Sequence, residues 1–311
     1  MTDRIRIGTR GSQLALWQAR WVQDAIERLY PKKTIELKVI KTQGDKILDV
    51  PLARVGGKGL FVKEIEEALL DERIDVAVHS MKDMPAELPQ GLIIGAVPQR
   101  ENPLDALIAN GHPSLATLPK GARVGTSSLR RAAQLLNRRP DLTIVPLRGN
   151  LDTRLKKLNA TDLDAIVLAA AGLHRLGMAD KITEYLDPAV VLPAVGQGAL
   201  CIEHRDQDPI TGPLLSELEH SPSRIAVSSE RAFLHRLEGG CQIPIAAHAR
   251  VESDRLTLTG MVAEIDGHRI ITSTLTGESR KAQTIGTQLA EALLDQGADA
   301  ILESINSHAQ T

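Results

Sequence analysis

The sequence predicts an α/β fold with two similar α/β domains that flank a cleft and a smaller C-terminal α+β domain. A chain of 311 residues is long for a single hydrophobic core, so two or three domains are expected. The segment Ile7-Gly-Thr-Arg-Gly-Ser-Gln-Leu-Ala recurs as Val124-Gly-Thr-Ser-Ser-Leu-Arg-Arg-Ala, each being a strand, a turn and the start of a helix. Alternating apolar residues near the C-terminus predict three antiparallel strands.

Composition narrows the function classes. Hydrophobic residues make up 42% and charged residues 24%, as in ordinary globular proteins, and the net charge of −2 gives no basic field for nucleic acid. The longest apolar runs stay below the 18 residues of a membrane-spanning helix, and the N-terminus lacks a signal-peptide pattern. Two cysteines are too few for a disulfide framework, and no Cys/His cluster has zinc spacing, so we expect a cytoplasmic, metal-free protein.

The first predicted domain covers residues 1–98 and 198–217. It begins with a strand and a helix from Ser12 to about Tyr30, in which Trp17 and Trp21 are expected to be core residues. The further predicted elements are strands at 34–41, 76–78 and 92–97, a helix at 60–70 and a flexible glycine-containing segment at 43–57.

The second domain covers residues 99–197 and the third covers 218–311. The second contains the repeated strand–helix unit, a strand at 142–146 and a strand after Asp164. Residues 190–202 are expected to be a strand that returns to the first domain. The third contains a helix at 222–237 capped by Ser221, strands at 246–250, 255–263 and 269–274, a hairpin turn at Asp266-Gly267 and closing helices at 281–294 and 298–305.

A polar group follows the apolar strand at Val76. His79, Ser80, Lys82 and Asp83 lie at its carboxyl end, where open α/β sheets bind ligands. The alternative is a loop whose charges only face water.

Arginine is unusually frequent, with 24 Arg against 13 Lys, and its planar fork matches carboxylates and phosphates. Codon bias or surface preference is the alternative explanation. However, the arginines collect after strands and at helix starts: Arg10 beside Ser12, then Arg130, Arg131, Arg148, Arg154 and Arg175. This placement predicts a ligand with several anionic groups. Lys58 lies among glycines but in no nucleotide-binding pattern.

Cys241 follows two glycines, which would leave its sulfur accessible as a nucleophile or attachment point. The alternative is a small buried hydrophobe. We expect Cys201, inside an apolar strand, to be buried.

Seven motifs in order resemble the porphobilinogen deaminase family, over essentially the whole chain. They are Gly8-Thr-Arg-Gly-Ser-Gln-Leu-Ala, Val55-Gly-Gly-Lys-Gly-Leu-Phe, Val78-His-Ser-Met-Lys-Asp, Gly125-Thr-Ser-Ser-Leu-Arg-Arg, Leu147-Arg-Gly-Asn, Leu192-Pro-Ala-Val-Gly-Gln-Gly-Ala, and Glu230-Arg with Leu237-Glu-Gly-Gly-Cys-Gln-Ile-Pro. One departure is Arg54, where the family commonly has Lys.

The resemblance implies a transferase that joins four porphobilinogen molecules head to tail into linear hydroxymethylbilane, losing ammonia at each step. It also implies two domains like periplasmic binding proteins and a dipyrromethane cofactor held by a thioether to Cys241. Asp83 would stabilise a cationic azafulvene and help remove a proton.

The remaining site residues are assigned on the same hypothesis. The cofactor-binding residues would be Ser80, Lys82, Asp83, Thr126, Ser127, Ser128, Arg130, Arg131 and Arg148. The substrate-binding residues would be Arg10, Ser12, Gln18, Lys58, Arg148, Arg154 and Arg175. Porphobilinogen is the expected partner, without nucleic acid or membrane, and a monomer is expected.

A different function class stays open at this point. The same two-domain cleft could belong to a non-catalytic protein that binds or senses a polycarboxylate. Such a protein would need neither Cys241 nor Asp83, so these two residues distinguish the hypotheses.

Overall fold

A computed structural model describes residues 4–46, 59–238 and 243–309. The chain divides into two compact units. The first contains residues 4–46, 59–101 and 198–224, and the second contains residues 102–197, 225–238 and 243–309. The predicted division of the second unit into two domains stays a prediction.

The first unit is built on a five-stranded mixed sheet. Its strands are β1 (Arg4–Thr9), β2 (Thr34–Val39), β3 (Val76–Ser80), β4 (Leu92–Ala96) and β10 (Leu200–Arg205). Their order is β2-β1-β3-β10-β4, with β1 parallel to β2 and β3, and β10 antiparallel to β3 and β4. The helices are α1 (Gln13–Leu29), α2 (Gln43–Lys46), α3 (Lys63–Leu70) and α7 (Thr211–Ser216).

Helix α1 begins where the sequence predicts, because the Ser12 hydroxyl accepts a hydrogen bond from the Ala15 amide. The predicted core face was wrong by about one residue. The buried residues of the helix are Ala15, Gln18, Ala19, Val22, Ala25 and Ile26. Small alanines let the helix lie close to the sheet, so Trp17 and Trp21 are only half-buried, and Trp21 packs against the core cluster.

The second unit repeats the architecture of the first. Its sheet contains β5 (Asp105–Ala109), β6 (Arg123–Gly125), β7 (Thr143–Val145), β8 (Ala165–Ala169) and β9 (Glu184–Leu186). The order β7-β6-β8-β5-β9 and the parallel and antiparallel pairings match those of the first sheet strand for strand. The predicted internal repeat is therefore confirmed. The helices are α4 (Leu129–Arg138), α5 (Leu151–Ala160) and α6 (Ala170–Arg175).

The antiparallel inner strand of each sheet, β5 or β10, comes soon after the chain passes from one unit to the other. The prediction of a strand at 190–202 was wrong before Leu200. Pro193 has no amide N–H to donate, and Gly196 and Gly198 have φ angles of 69° and 89°, which a strand does not accommodate.

The C-terminal part contains α8 (Ser221–Arg236), β11 (Ile245–Glu252), β12 (Arg255–Ala263), β13 (Ile270–Glu278), α9 (Ala282–Leu293) and α10 (Asp299–Ala309). The three strands form the predicted antiparallel sheet in the order β11-β12-β13. Gly267 turns between β12 and β13 with φ of 75°, and a Cβ there would lie 2.1 Å from the Ala133 carbonyl oxygen. Only glycine fits this contact.

The α/β fold class with two similar sheets and a small antiparallel sheet is thus confirmed. Strands β5 and β9 and helix α7 were not predicted, and α2 lies at the start of the segment expected to be flexible. Residues 47–57 of that segment lie outside the described residues. Among the described helices, none has the length and apolar character needed to cross a bilayer.

Candidate functional site

Asp83 lies in a short 3₁₀ turn, Met81–Asp83, directly after β3. Met81 and Met84 are 1% and 5% exposed, while Lys82 and Asp83 between them are half-buried. The Met81 amide also donates to the Ala199 carbonyl, 3.0 Å away. Two buried methionines therefore anchor the turn and hold Lys82 and Asp83 at the carboxyl end of the sheet.

A cavity of about 60 Å³ lies at this end of the first sheet. The predicted site residues that line it are Arg10, Ser12, Gln18, Ser80 and Asp83. The structure therefore brings together five residues that lie up to 73 positions apart in the chain, because β1, α1 and β3 all end or begin at this edge.

Phe61 also lines this cavity and was missed by the sequence analysis. The Arg10 guanidinium carbon lies 4.2 Å from the centroid of its ring, within the range of a cation–π interaction. The available sequence signal was its place as the last residue of the motif Val55-Gly-Gly-Lys-Gly-Leu-Phe, to which no role was assigned.

A buried ionisable cluster lies on the α3 side of β3. His79 Nε2 is 3.1 Å from Glu203 Oε2, and both side chains are almost fully buried. Glu66 of α3 is 6% exposed, and burial together with the nearby Glu203 carboxylate raises its pKa to about 7, against the opposing effect of His79. This cluster therefore lies directly next to the site, since His79 immediately precedes Ser80 in β3.

The three predicted hydroxyl ligands of the second unit lie in the β6–α4 turn. Ser127 exchanges hydrogen bonds with the backbone of Leu147, at 2.9 and 3.0 Å. Ser128 is the N-cap of α4 and accepts from the Arg131 amide, while Thr126 Oγ1 accepts from the Ser128 amide. These contacts hold the β6–α4 turn against the β7–α5 turn, which carries Arg148.

Arg130 and Arg131, in the first turn of α4, share the carboxylate of Asp105. All three side chains are buried. Burial alone would raise the pKa of Asp105, but the two guanidiniums outweigh it and lower this pKa to about 2. The sequence analysis had assigned Asp105 no role.

Two further places in the second unit carry predicted site arginines. Arg148 and Arg154 lie at the β7–α5 turn, and Arg175 lies at the end of α6. Gly149, with φ of 113°, turns the chain after Arg148, and Arg154 Nε donates to the Gly149 carbonyl over 2.8 Å. Arg175 ends α6 and is 9% exposed. Arg148 and Arg154 therefore flank one turn, the β7–α5 turn.

The chain contains two cysteines, Cys201 and Cys241. Cys201 lies in β10 with no exposed surface, as predicted. Cys241, like Lys58, lies outside the described residues, so its role stays a prediction.

A larger cavity of about 750 Å³ lies at the opposite, amino end of the first sheet. Several charged residues that line it form ion pairs with one another. Arg6 is 2.7 Å from Asp75, and Arg205 contacts both Asp75 and Asp208. We therefore place the candidate site at the carboxyl end, with Asp83.

Two family models match the chain. One, described as porphobilinogen deaminase, dipyromethane cofactor binding domain, matches residues 5–212, and one described as porphobilinogen deaminase, C-terminal domain, matches residues 224–295. A porphobilinogen deaminase from Syntrophotalea carbinolica is 58% identical over 305 residues, covering 98% of this chain and 97% of that protein. One from Geobacter metallireducens is 55% identical over 302 residues, covering 97% and 95%.

Among solved structures, the methionine binding protein MetQ is similar with a TM-score of 0.44 and 16% sequence identity, over 70% of this chain and 90% of that one. A TM-score this low supports no inference about function.

Proposed function

The chain belongs to the porphobilinogen deaminase family, and from this premise we propose that it condenses four porphobilinogen molecules head to tail into linear hydroxymethylbilane. The reaction releases four ammonia molecules and consumes one water, which supplies the oxygen of the terminal hydroxymethyl group. The observation that carries the proposal is the position of Asp83, held by a buried turn in a cavity shared with Arg10 and Ser80. In this reaction the enzyme is a transferase, because each of the four condensation steps moves one pyrrole unit onto a growing chain.

The donor set of the second unit fits a dipyrromethane cofactor. Each of its pyrroles carries an acetate and a propionate, and Arg130 and Arg131 share a single protein carboxylate, which leaves one positive charge in excess. In this proposal the cofactor is attached to Cys241 by a thioether. The residues that bind the carboxylates of the cofactor are Ser80, Lys82, Thr126, Ser127, Ser128, Arg130, Arg131 and Arg148. When bound, the cofactor supplies the pyrrole carbon on which the chain is built.

Asp83 has the catalytic role in this proposal. As ammonia leaves porphobilinogen, positive charge develops on the substrate, and a fixed carboxylate beside it stabilises that charge without having to reorganise. The same carboxylate then accepts the proton released from the newly joined carbon. The buried methionines on either side of Lys82 and Asp83 support this role by fixing the position of the turn.

Four arginines bind the carboxylates that accumulate as the pyrrole chain grows. We assign Arg10, Arg148, Arg154 and Arg175 to this role, with Ser12, Gln18 and Lys58 as further substrate ligands. The ring of Phe61 supports the orientation of Arg10, since the guanidinium lies over its face.

Incubation of the purified full-length protein with porphobilinogen tests the proposal. We expect four ammonia molecules for each hydroxymethylbilane formed. Binding of porphobilinogen without release of ammonia would instead identify a non-catalytic binding protein and refute the proposal.

A further inference from the structure

Asp105 is a buried carboxylate at the start of β5. Its backbone pairs with Ala169 of β8 on one side and with Leu186 of β9 on the other, and its side chain has no exposed surface. A buried charge persists only where partners compensate for the loss of water. The identity of those partners indicates what the residue does.

The guanidinium groups of Arg130 and Arg131 both bind this one carboxylate. Arg130 binds it through both terminal nitrogens, with Nη1 2.8 Å from Oδ2 and Nη2 3.2 Å from Oδ1. Arg131 binds Oδ1 through Nε at 2.8 Å and Nη2 at 2.7 Å. The planar geometry of these contacts fixes the orientation of both guanidiniums.

Backbone carbonyls fix the same forks from other directions. Arg130 Nη1 donates to the Leu192 carbonyl over 2.6 Å, and Arg131 Nη1 donates to the Val167 carbonyl over 3.0 Å. Each arginine is therefore held by a carboxylate and a carbonyl on different segments. Two arginines and one aspartate leave a net charge of +1 at the N-terminal turn of α4, where the helix dipole also favours an anion.

Gln197 is the fourth member of this cluster. Its Nε2 donates to Asp105 Oδ1 over 3.2 Å and to the Pro103 carbonyl over 2.7 Å, and its side chain has no exposed surface. Gln197 is the last residue of the second unit before the chain returns to the first. Asp105 thus links the two guanidiniums to Gln197, and through Gln197 to Pro103. These two residues lie at the two ends of the stretch 102–197 of the second unit.

We propose that Asp105 is a positioning residue, which orients Arg130 and Arg131 to receive carboxylates of the dipyrromethane cofactor. The inference rests on the proposed function. It differs from a simple charge effect in a testable way. If net charge alone governed binding, removing the aspartate charge would attract the carboxylates more strongly, whereas loss of orientation weakens their binding.

The test is cofactor loading by the full-length protein expressed without cofactor precursors. Preformed hydroxymethylbilane is titrated in, and the covalent mass gain is followed by intact-mass measurement. For Asp105→Asn and Asp105→Glu we expect the concentration that gives half-maximal loading to rise about tenfold or more, as expected for loss of a charge-assisted hydrogen bond. Asp141→Asn is the control, because it removes the ion pair to Arg139 in the same unit, away from α4's first turn.

The half-saturating concentration separates positioning from stability. A merely structural role for Asp105 would lower the amount of protein that loads but leave that concentration unchanged. An unchanged or lowered half-saturating concentration in both Asp105 variants would overturn the inference, and if one variant does not fold, the other decides.

A double variant tests whether Asp105 acts through Arg131. Adding Asp105→Asn to Arg131→Gln should raise the half-saturating concentration by much less than the product of the two single effects. Multiplicative effects would contradict the inference. If the parent protein itself neither loads nor releases ammonia from porphobilinogen, the proposed function has failed instead.

Discussion

The side-chain amide of Gln18 donates a hydrogen bond to the Ser80 hydroxyl over 2.9 Å. Gln18 is 2% exposed and lies on the face of α1 that packs against the sheet, while Ser80 is the last residue of β3. The contact ties the helix to the strand end three residues before Asp83. The predicted role of Gln18 as a substrate ligand stays a prediction, but this contact gives it a structural task at the site.

We expect Gln18→Met to lower turnover by up to about tenfold, because Met fills the same space but cannot donate to Ser80. Gln23→Met is the matched control on the same helix, since Gln23 donates to the Ile35 carbonyl away from the site. Steady-state rates of both variants decide. Equal losses in the two variants would indicate a general effect on α1.

Cys241 should carry the cofactor. The intact mass of the parent protein should exceed the sequence mass by two linked pyrrole units, and Cys241→Ser should remove this increment. Cys201→Ser is the control, because Cys201 is buried in β10 and should keep both the adduct and most of the activity. Active enzyme with an unmodified mass would rule out the covalent attachment.

Arg148→Lys should not be conservative. Lysine keeps the charge but loses the planar fork, and one charge-assisted pair is worth about 1.5–3 kcal/mol, or roughly a tenfold or larger loss in the step that uses it. Arg138→Lys serves as the control, because Arg138 is an exposed residue of the same unit that donates to the Ala189 carbonyl. Unchanged kinetics for Arg148→Lys would make Arg148 a surface charge.

Glu66 should make stability depend on pH. Its pKa rises from an ordinary value near 4.5 to about 7 in the folded protein, first because of burial and then because of the Glu203 carboxylate. Between these values the unfolded chain has lost the proton while the folded protein keeps it. Stability therefore falls as the pH rises through this window, and the loss is complete above about pH 7.

Glu66→Gln removes this penalty, so its free energy of unfolding should exceed that of the parent by up to about 3 kcal/mol at pH 8. The advantage should shrink towards pH 4.5. Glu217→Gln, at an exposed position of the same unit, is the control. Urea unfolding of the three proteins at pH 5 and pH 8 measures the difference, and a constant difference between Glu66→Gln and the parent would contradict the assigned titration.

Local sequence patterns predicted the parts of the site that depend on neighbouring residues. The strand at Val76, the cap at Ser12 and the helix start in the repeated segment follow from short-range signals, and the structure contains them. Strand β3 continues to Ser80, two residues beyond the predicted end at Val78. The repeated strand–turn–helix segment also predicted two similar sheets. The strand order within each sheet was not predicted, because β5 and β10 pair with strands distant in the chain.

Long-range contacts explain what the sequence analysis missed. Asp105 pairs with arginines 25 and 26 residues away and with Gln197, 92 residues away, and no local motif marks it. Phe61 contacts Arg10 across the same unit, which only the folded chain brings about. The offset of the core face of α1 arose because alanine packing, rather than the large tryptophans, sets the contact with the sheet.

Asp83 carries the central claim, and its variants separate charge from position. Asp83→Asn keeps the size but removes the charge, so turnover should fall at least about 10²–10³-fold while the fold survives. Asp83→Glu keeps the charge but moves it by roughly one methylene, and a misplacement near 1 Å can cost about 10². We therefore expect Glu to be impaired but more active than Asn.

Single-turnover release of ammonia by cofactor-loaded protein is the most direct measurement. Each variant is first supplied with preformed hydroxymethylbilane, and loading is verified by intact mass, so that a failure to assemble the cofactor is not mistaken for slow chemistry. The account predicts that loaded Asp83→Asn releases ammonia at least about a hundredfold more slowly than the parent. Release within about tenfold of the parent rate would show that Asp83 is not the catalytic carboxylate.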